Sequence, residues 1–161
     1  MLILATGGTF DKDYALDGNL GFHGSVLPKL IGQARLTCAH ELNILMQKDS
    51  LDMTITDRRA ILEACRTTAS TQIIIIHGTD TMSETATFLQ QANLEKTIIL
   101  TGAMRPFSFG HSDAAFNFGF ALALAQTAAI GVYIAMQGEC FAAGKVAKNK
   151  DRAQFIHLGK D

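Results

Sequence analysis

Four consecutive isoleucines, Ile73 to Ile76, run directly into His77-Gly78-Thr79-Asp80-Thr81. An unbroken β-branched run without polar alternation marks a strand covered on both faces, as in a parallel sheet. Thr81-x-x-Glu84 then reads as a capping box that opens a helix over 83–92. The same rhythm recurs along the chain. An apolar run over 2–5 ends at Thr6-Gly7-Gly8-Thr9, and Leu42, Ile44 and Met46 alternate in a second strand that stops at Lys48-Asp49-Ser50. Further strands are predicted over 72–76, 97–100 and 132–136. Leu27, Leu30, Ile31 and Ala34 mark a helix with Ser25 as its cap, and Ile61, Ala64, Cys65 and Thr68 mark another that starts at Thr56 or Asp57. A strongly apolar helix runs from Asp113 through Ala125.

Strands that alternate with helices in this way predict an α/β fold. The expected architecture is a mostly parallel sheet with helices on both faces, a three-layer arrangement of the flavodoxin-like or Rossmann-like kind, in one domain over 1–161. Residues 10–24 are polar and glycine-bearing without helical periodicity, which predicts a long mobile loop of the sort that covers active sites.

Charge and composition narrow the function. The net charge is -1 with Lys and Arg scattered, so nothing provides a basic stripe for nucleic acid. No apolar run is long enough to span a bilayer, and the first residues lack the basic head and cleavage site of a signal peptide. A cytoplasmic protein without membrane contact is therefore expected. Cys38, Cys65 and Cys140 are odd in number and widely spaced, which predicts buried thiols rather than a disulfide framework. The five histidines show no metal-site spacing, so neither a metal nor a cofactor is expected.

Four polar segments follow strands: 6–9, 49–52, 77–81 and 101–105. In a parallel sheet they emerge at one edge, where ligands bind. They offer Thr9, Ser50, Thr79 and Asp80 to a single crevice, with glycines such as Gly8 that let backbone N–H groups approach a ligand. A nucleotide reading fails, because neither G-x-G-x-x-G nor a P-loop motif is present and Gly7-Gly8 enters a loop rather than a helix. Taken singly, Thr6, Thr9 and Thr79 read as turn or capping hydroxyls, Asp80 as a helix N-terminal carboxylate and Lys148 as a surface charge. His77 reads equally as a packed structural residue and is left out of the catalytic set. Arg105 and Asp113 form either an ion pair or a separate charge and helix cap.

Ala5-Thr6-Gly7-Gly8-Thr9, His77-Gly78-Thr79-Asp80-Thr81-Met82 and Thr101-Gly102-Ala103-Met104-Arg105-Pro106 resemble the bacterial-type L-asparaginase family. The similarity continues through Asp113-Ala114-Ala115-Phe116-Asn117 to Lys148. It implies an amidohydrolase that converts L-asparagine, or secondarily L-glutamine, to the acid and ammonia through a threonine acyl-enzyme. In that resemblance Thr9 matches the nucleophile, and Tyr14, the tyrosine of the 10–24 loop, matches the hydroxyl that activates it. Thr79, Asp80 and Lys148 match the proton-transfer cluster. Ser50 matches the contact to the substrate α-carboxylate and Asp80 the contact to the α-amino group.

The resemblance also implies a homo-oligomer, a dimer or tetramer, and the apolar 113–125 helix points the same way. Two departures stand out. The family carries a second, smaller domain that this chain lacks, and Leu51 stands where many members have glutamine. Met1 at the first strand makes the N-terminus look intact, so a natural short form or a fragment cut at the C-terminus are both consistent. These departures keep two other readings in view: a non-catalytic amino-acid-binding or regulatory subunit, and an asparaginase-like subunit of an amidotransferase.

Overall fold

A computed structural model describes residues 1–159; Lys160 and Asp161, the end of the expected 1–161 domain, lie outside the described residues. In chain order the elements are β1 (Leu2–Gly7), β2 (Asp13–Tyr14), β3 (Leu20–Gly21), α1 (Leu27–Ala34), β4 (Glu41–Lys48), α2 (Ile55–Thr67), β5 (Gln72–Ile76), α3 (Met82–Gln90), β6 (Thr97–Thr101), α4 (Ala114–Thr127), β7 (Gly131–Met136), β8 (Glu139–Ala142), β9 (Val146–Asn149) and β10 (Gln154–His157). The central sheet has the order β4-β1-β5-β6-β7-β8. Its first five strands are parallel, and β8 returns antiparallel at the edge.

The period of two along the strands sorts their side chains into two cores. Leu4, Ile73, Ile75, Leu100 and Ile134 face Ile61 and Cys65 of α2 and Met82, Ala86 and Leu89 of α3. Ile3, Ala5, Ile74, Ile76, Ile99 and Ala135 face Leu27 and Leu30 of α1 and Ala114, Phe118, Ala121 and Ala125 of α4. Successive side chains of a strand point to opposite faces, so an all-apolar run requires cover on both sides, and the helices supply it. The three-layer α/β architecture expected from the sequence is the one found. Thr6 and Thr101 donate their hydroxyls to the carbonyls of Ile76 (2.7 Å) and Ala135 (2.8 Å), tying β1 to β5 and β6 to β7 at the carboxyl edge.

Several local expectations need correction. Strands β8, β9 and β10 add to the five expected, because four-residue strands carry little periodic signal. β7 turns into β8 through Gln137 and Gly138, both at positive φ, the conformation of a tight hairpin turn. Residues 10–24 are not wholly irregular: a 3-10 turn over Thr9–Asp11 and the β2–β3 hairpin occupy part of them. Helix α2 starts at Ile55, where Thr54 and Asp57 form a reciprocal capping box. Ser25 lies just before α1, its hydroxyl donating to Asp11 and accepting from the Leu27 N–H. Thr81 does not cap α3 with its side chain, and Glu84 instead meets Arg58 at 2.9 Å. Arg105 and Asp113 are not ion-paired; the Asp113 carboxylate accepts the backbone N–H groups of Met104 and Arg105. Only Cys65 is fully buried, and burial pushes its thiol up to about 12. α4 buries one stripe despite its apolar circumference, leaving Phe116 exposed.

His77 sits fully buried where β5 ends. Its Nδ1 donates to the Gly78 carbonyl at 2.7 Å, which leaves Nε2 to accept the Thr85 hydroxyl at 2.9 Å; Thr85 in turn accepts from Arg58 Nε. Protonation would turn Nε2 into a donor facing a hydroxyl already held by a cation. Burial first, and the Arg58 charge after it, lower the imidazole from 6.5 to about 4 despite the favourable Gly78 contact.

This packing sets two expectations for stability. Ile75→Ala, at the centre of the sheet, is expected to lower unfolding free energy by roughly 2–5 kcal/mol in chemical denaturation. The unfolded chain binds a proton at His77 more readily than the folded one, so the stability from its neutral form is complete above pH 6.5 and is lost as pH falls toward 4. The loss is about 3 kcal/mol, and the slope of denaturation midpoint against pH in that window should flatten in His77→Gln.

Candidate active site

The carboxyl ends of β1, β4 and β5 meet because their turns lack side-chain bulk. A Cβ on Gly8 would lie 2.4 Å from the Gly78 Cα, and a Cβ on Gly78 would lie 2.6 Å from the Ser50 Cβ and Oγ. Neither distance is tolerable for a real side chain, so backbone stacks on backbone from Gly8 through Gly78 to Ser50. Gly7 and Gly8 both have positive φ, and the Gly8 N–H donates to the Lys48 carbonyl at 2.9 Å. The turns that carry Thr9, Ser50 and Thr79 are thereby held against one another. Gly102 closes the fourth side, where a Cβ would meet the His77 carbonyl at 2.4 Å.

Thr9 opens the short 3-10 turn that follows Gly8, half-buried, and its hydroxyl has no hydrogen-bond partner among the described residues. Asp11, two residues on, is fully buried and accepts from the Ser25 hydroxyl and the Val26 N–H at 3.0 Å each. Burial raises its carboxyl above the usual range, partly offset by those bonds. Ser50 is buried, its hydroxyl accepting weakly from the Thr81 N–H at 3.4 Å while Thr81 Oγ1 donates to the Ser50 carbonyl at 2.8 Å. This diversion explains why Thr81 does not cap α3.

Lys148 reaches the site from the β9–β10 hairpin, where it pairs with Phe155. Its Nζ donates to Thr79 Oγ1 at 2.7 Å and to Asp80 Oδ1 at 2.8 Å, with only 12% of the side chain exposed. A hydroxyl bonded to an amine beside a carboxylate is an arrangement along which a proton can move between Thr79 and Lys148, with Asp80 placed to hold the ammonium. The structure thus brings together Gly8, Thr9, Ser50, Thr79, Asp80 and Lys148. Among the described residues, the Tyr14 side chain shares no hydrogen bond with this group. It is 59% exposed, and its ring stacks on Phe109 at 5.3 Å with an interplanar angle of 5°.

Sequence reasoning missed two residues beside the site. Lys12 and Asp49 pair at 2.7 Å, and this contact holds the Asp49 carboxyl below the usual range. Asp49 also accepts the Leu51 N–H, fixing the turn that carries Ser50. No spacing rule signals a pair so far apart in the chain. Among the described residues, no helix is long and apolar enough to cross a membrane.

The close approach at Gly78 can be tested directly. Gly78→Ala should push Ser50 away from the Thr9 turn and abolish binding of any small ligand held between them, read by calorimetry, with a loss of roughly 1–3 kcal/mol in stability from overpacking.

Known proteins resemble this chain in sequence and in fold. Residues 1–154 match the family model described as asparaginase, N-terminal. The Haemophilus influenzae protein named "Probable L-asparaginase periplasmic" is 31% identical over 96% of this chain and 48% of its own. A subunit of the glutamyl-tRNA(Gln) amidotransferase of Methanococcus maripaludis is 37% identical over 85% of this chain and 34% of its own. The thermostable L-asparaginase from Thermococcus kodakarensis superposes with a TM-score of 0.88 at 27% identity, covering 99% of this chain and 51% of that one. This chain spans about half the length, or less, of the relatives it matches. Sequence match and fold agree that the chain belongs to the asparaginase family, corresponding to its N-terminal domain.

Proposed function

We propose that this protein hydrolyses the side-chain amide of L-asparagine to give L-aspartate and ammonia through an acyl-enzyme on Thr9. Family membership supports amidohydrolase chemistry. The observation that carries the finer reading is the Thr79–Lys148–Asp80 cluster, bonded at 2.7 and 2.8 Å, on the turn packed against the turn of an unengaged Thr9 hydroxyl.

In this reading Ser50 holds the substrate α-carboxylate and Asp80, 34% exposed on its side chain, meets the α-amino group. Thr9 Oγ attacks the amide carbon as its proton passes to the Tyr14 hydroxyl oxygen, and backbone N–H groups of the Gly8 and Thr79 turns steady the oxyanion. The C–N bond breaks as the Tyr14 hydroxyl passes its own proton on to the nitrogen, which leaves as ammonia. Water then attacks the ester, giving up a proton through Thr79 to Lys148, and the C–O bond to Thr9 breaks as that proton returns to Thr9 Oγ, releasing aspartate. Tyr14 serves as the activating hydroxyl for Thr9, which requires the β2–β3 hairpin to leave its stack on Phe109 and swing over the substrate. L-glutamine is the secondary substrate. A homo-oligomer completes the reading, with no nucleic acid or membrane partner.

A second reading is favoured by the 37% identity to the amidotransferase component: the chain releases ammonia for a partner that consumes it. An ammonia assay on the isolated chain, beside co-purification, separates the two. Sustained asparagine turnover without a partner supports the first reading. Binding of aspartate without turnover points instead to a regulatory role.

Thr9→Ala and Thr79→Ala are each expected to lower kcat by about a thousandfold or more, and Lys148→Met by about a hundredfold or more, with folding intact by circular dichroism. Full activity in purified Thr9→Ala or Thr79→Ala would remove the proposed pair.

A further inference from the structure

We infer that the Lys12–Asp49 ion pair is a specificity-determining strut that sets the span between Thr9 and Ser50, and so the side-chain length of the amide accepted. This inference rests on the proposed roles of Thr9 and Ser50. An amino-acid amide held by its α-carboxylate presents its amide carbon at a distance fixed by its methylene count. The separation between the carboxylate-holding turn and the nucleophile turn therefore selects between one methylene and two.

The pair joins those two turns. Lys12 immediately follows the 3-10 turn that Thr9 opens, and Asp49 immediately precedes Ser50. Lys12 Nζ lies 2.7 Å from Asp49 Oδ2, while the other carboxylate oxygen, Oδ1, accepts the Leu51 N–H at 3.1 Å and so grips the Ser50 turn from within. Both side chains are partly shielded, 23% and 30% exposed. Each end of the strut is anchored in turn. The Lys12 carbonyl accepts the Ser108 hydroxyl at 3.0 Å, and its ammonium lies 5.7 Å from the centre of the Phe22 ring. Asp11, next to Lys12, fastens the nucleophile turn to the start of α1. Ser50 is pinned from its other side by Thr81. The Gly8–Gly78–Ser50 stack lets the turns come together, and the ion pair ties their outer ends to each other across that contact.

Lys12 and Asp49 are positioning residues, and the test separates that role from simple support. Ammonia release is measured with L-asparagine and L-glutamine for the wild type, Lys12→Gln, Lys12→Arg, Asp49→Asn and the double variant Lys12→Gln/Asp49→Asn. Asp49→Asn keeps an acceptor for the Leu51 N–H and removes the charge and the acceptor that face Lys12. One methylene in a pocket discriminates by roughly 10- to 200-fold. In Lys12→Gln and Asp49→Asn the asparagine-to-glutamine ratio of kcat/KM should fall by about fivefold or more, mainly through a higher KM for asparagine, with kcat within about twofold. Lys12→Arg should keep the wild-type ratio, and the double variant should be no worse than either single one, because all remove the same contact. An unchanged ratio in both charge-removing variants overturns the inference, as does an equal loss of kcat for both amides or loss of folding in both. A wild type that releases ammonia from neither amide defeats the functional reading itself, and this inference with it.

Discussion

Everything at the carboxyl edge of the sheet depends on the absence of two side chains. Gly8 and Gly78 let the turns after β1 and β5 lie backbone against backbone, with Ser50 on the far side of Gly78. Parallel strands stand about 4.8 Å apart, so the loops that leave neighbouring strands approach this closely only where no Cβ intervenes. The left-handed conformations of Gly7 and Gly8 turn the chain sharply out of β1 and expose Thr9 at the start of its turn. The site is thus a property of backbone geometry first and of hydroxyls second. The threonines inherit their positions from the glycines beside them.

Around that stack the fold places polar links that run between elements. Thr6 and Thr101 tie neighbouring strands at the same edge. The neutral His77 links the Gly78 carbonyl to Thr85 and Arg58, so the start of the turn that carries Thr79 is braced by α2 and α3. Asp113 gathers the N–H groups of Met104 and Arg105 and the amide of Asn117, which holds the loop after β6 against α4. Each is a buried or partly buried polar group whose partners are satisfied, and such groups confer a unique arrangement more than net stability.

The parallel strands, their order along the chain and the turns that carry the candidate site residues were legible in the sequence. Ile73 to Ile76 and the glycine-threonine turns are local signals: periodicity and turn chemistry act over a few residues. What escaped was tertiary. Thr81 has the spacing of a helix cap, yet its hydroxyl goes to the Ser50 carbonyl because that turn lies beside it only after folding. Asp113 has the charge to pair with Arg105 but serves the loop's backbone instead. Lys12 and Asp49, 37 residues apart, carry no pattern that announces their contact. The strands β8 to β10 are too short to show alternation, and it is β9 that delivers Lys148.

Lys148 rides on a two-stranded ribbon that is separate from the main sheet. The ribbon is seated through Val146 and Phe155 in the core and through Gln137, which receives the Phe155 N–H and donates to the Ala153 carbonyl. Opening such a small unit takes much less free energy than melting the whole molecule. Integrity of the Lys148 cluster and foldedness are therefore distinct quantities in this protein: a population whose far-ultraviolet spectrum is native can hold molecules whose amine has swung clear of Asp80.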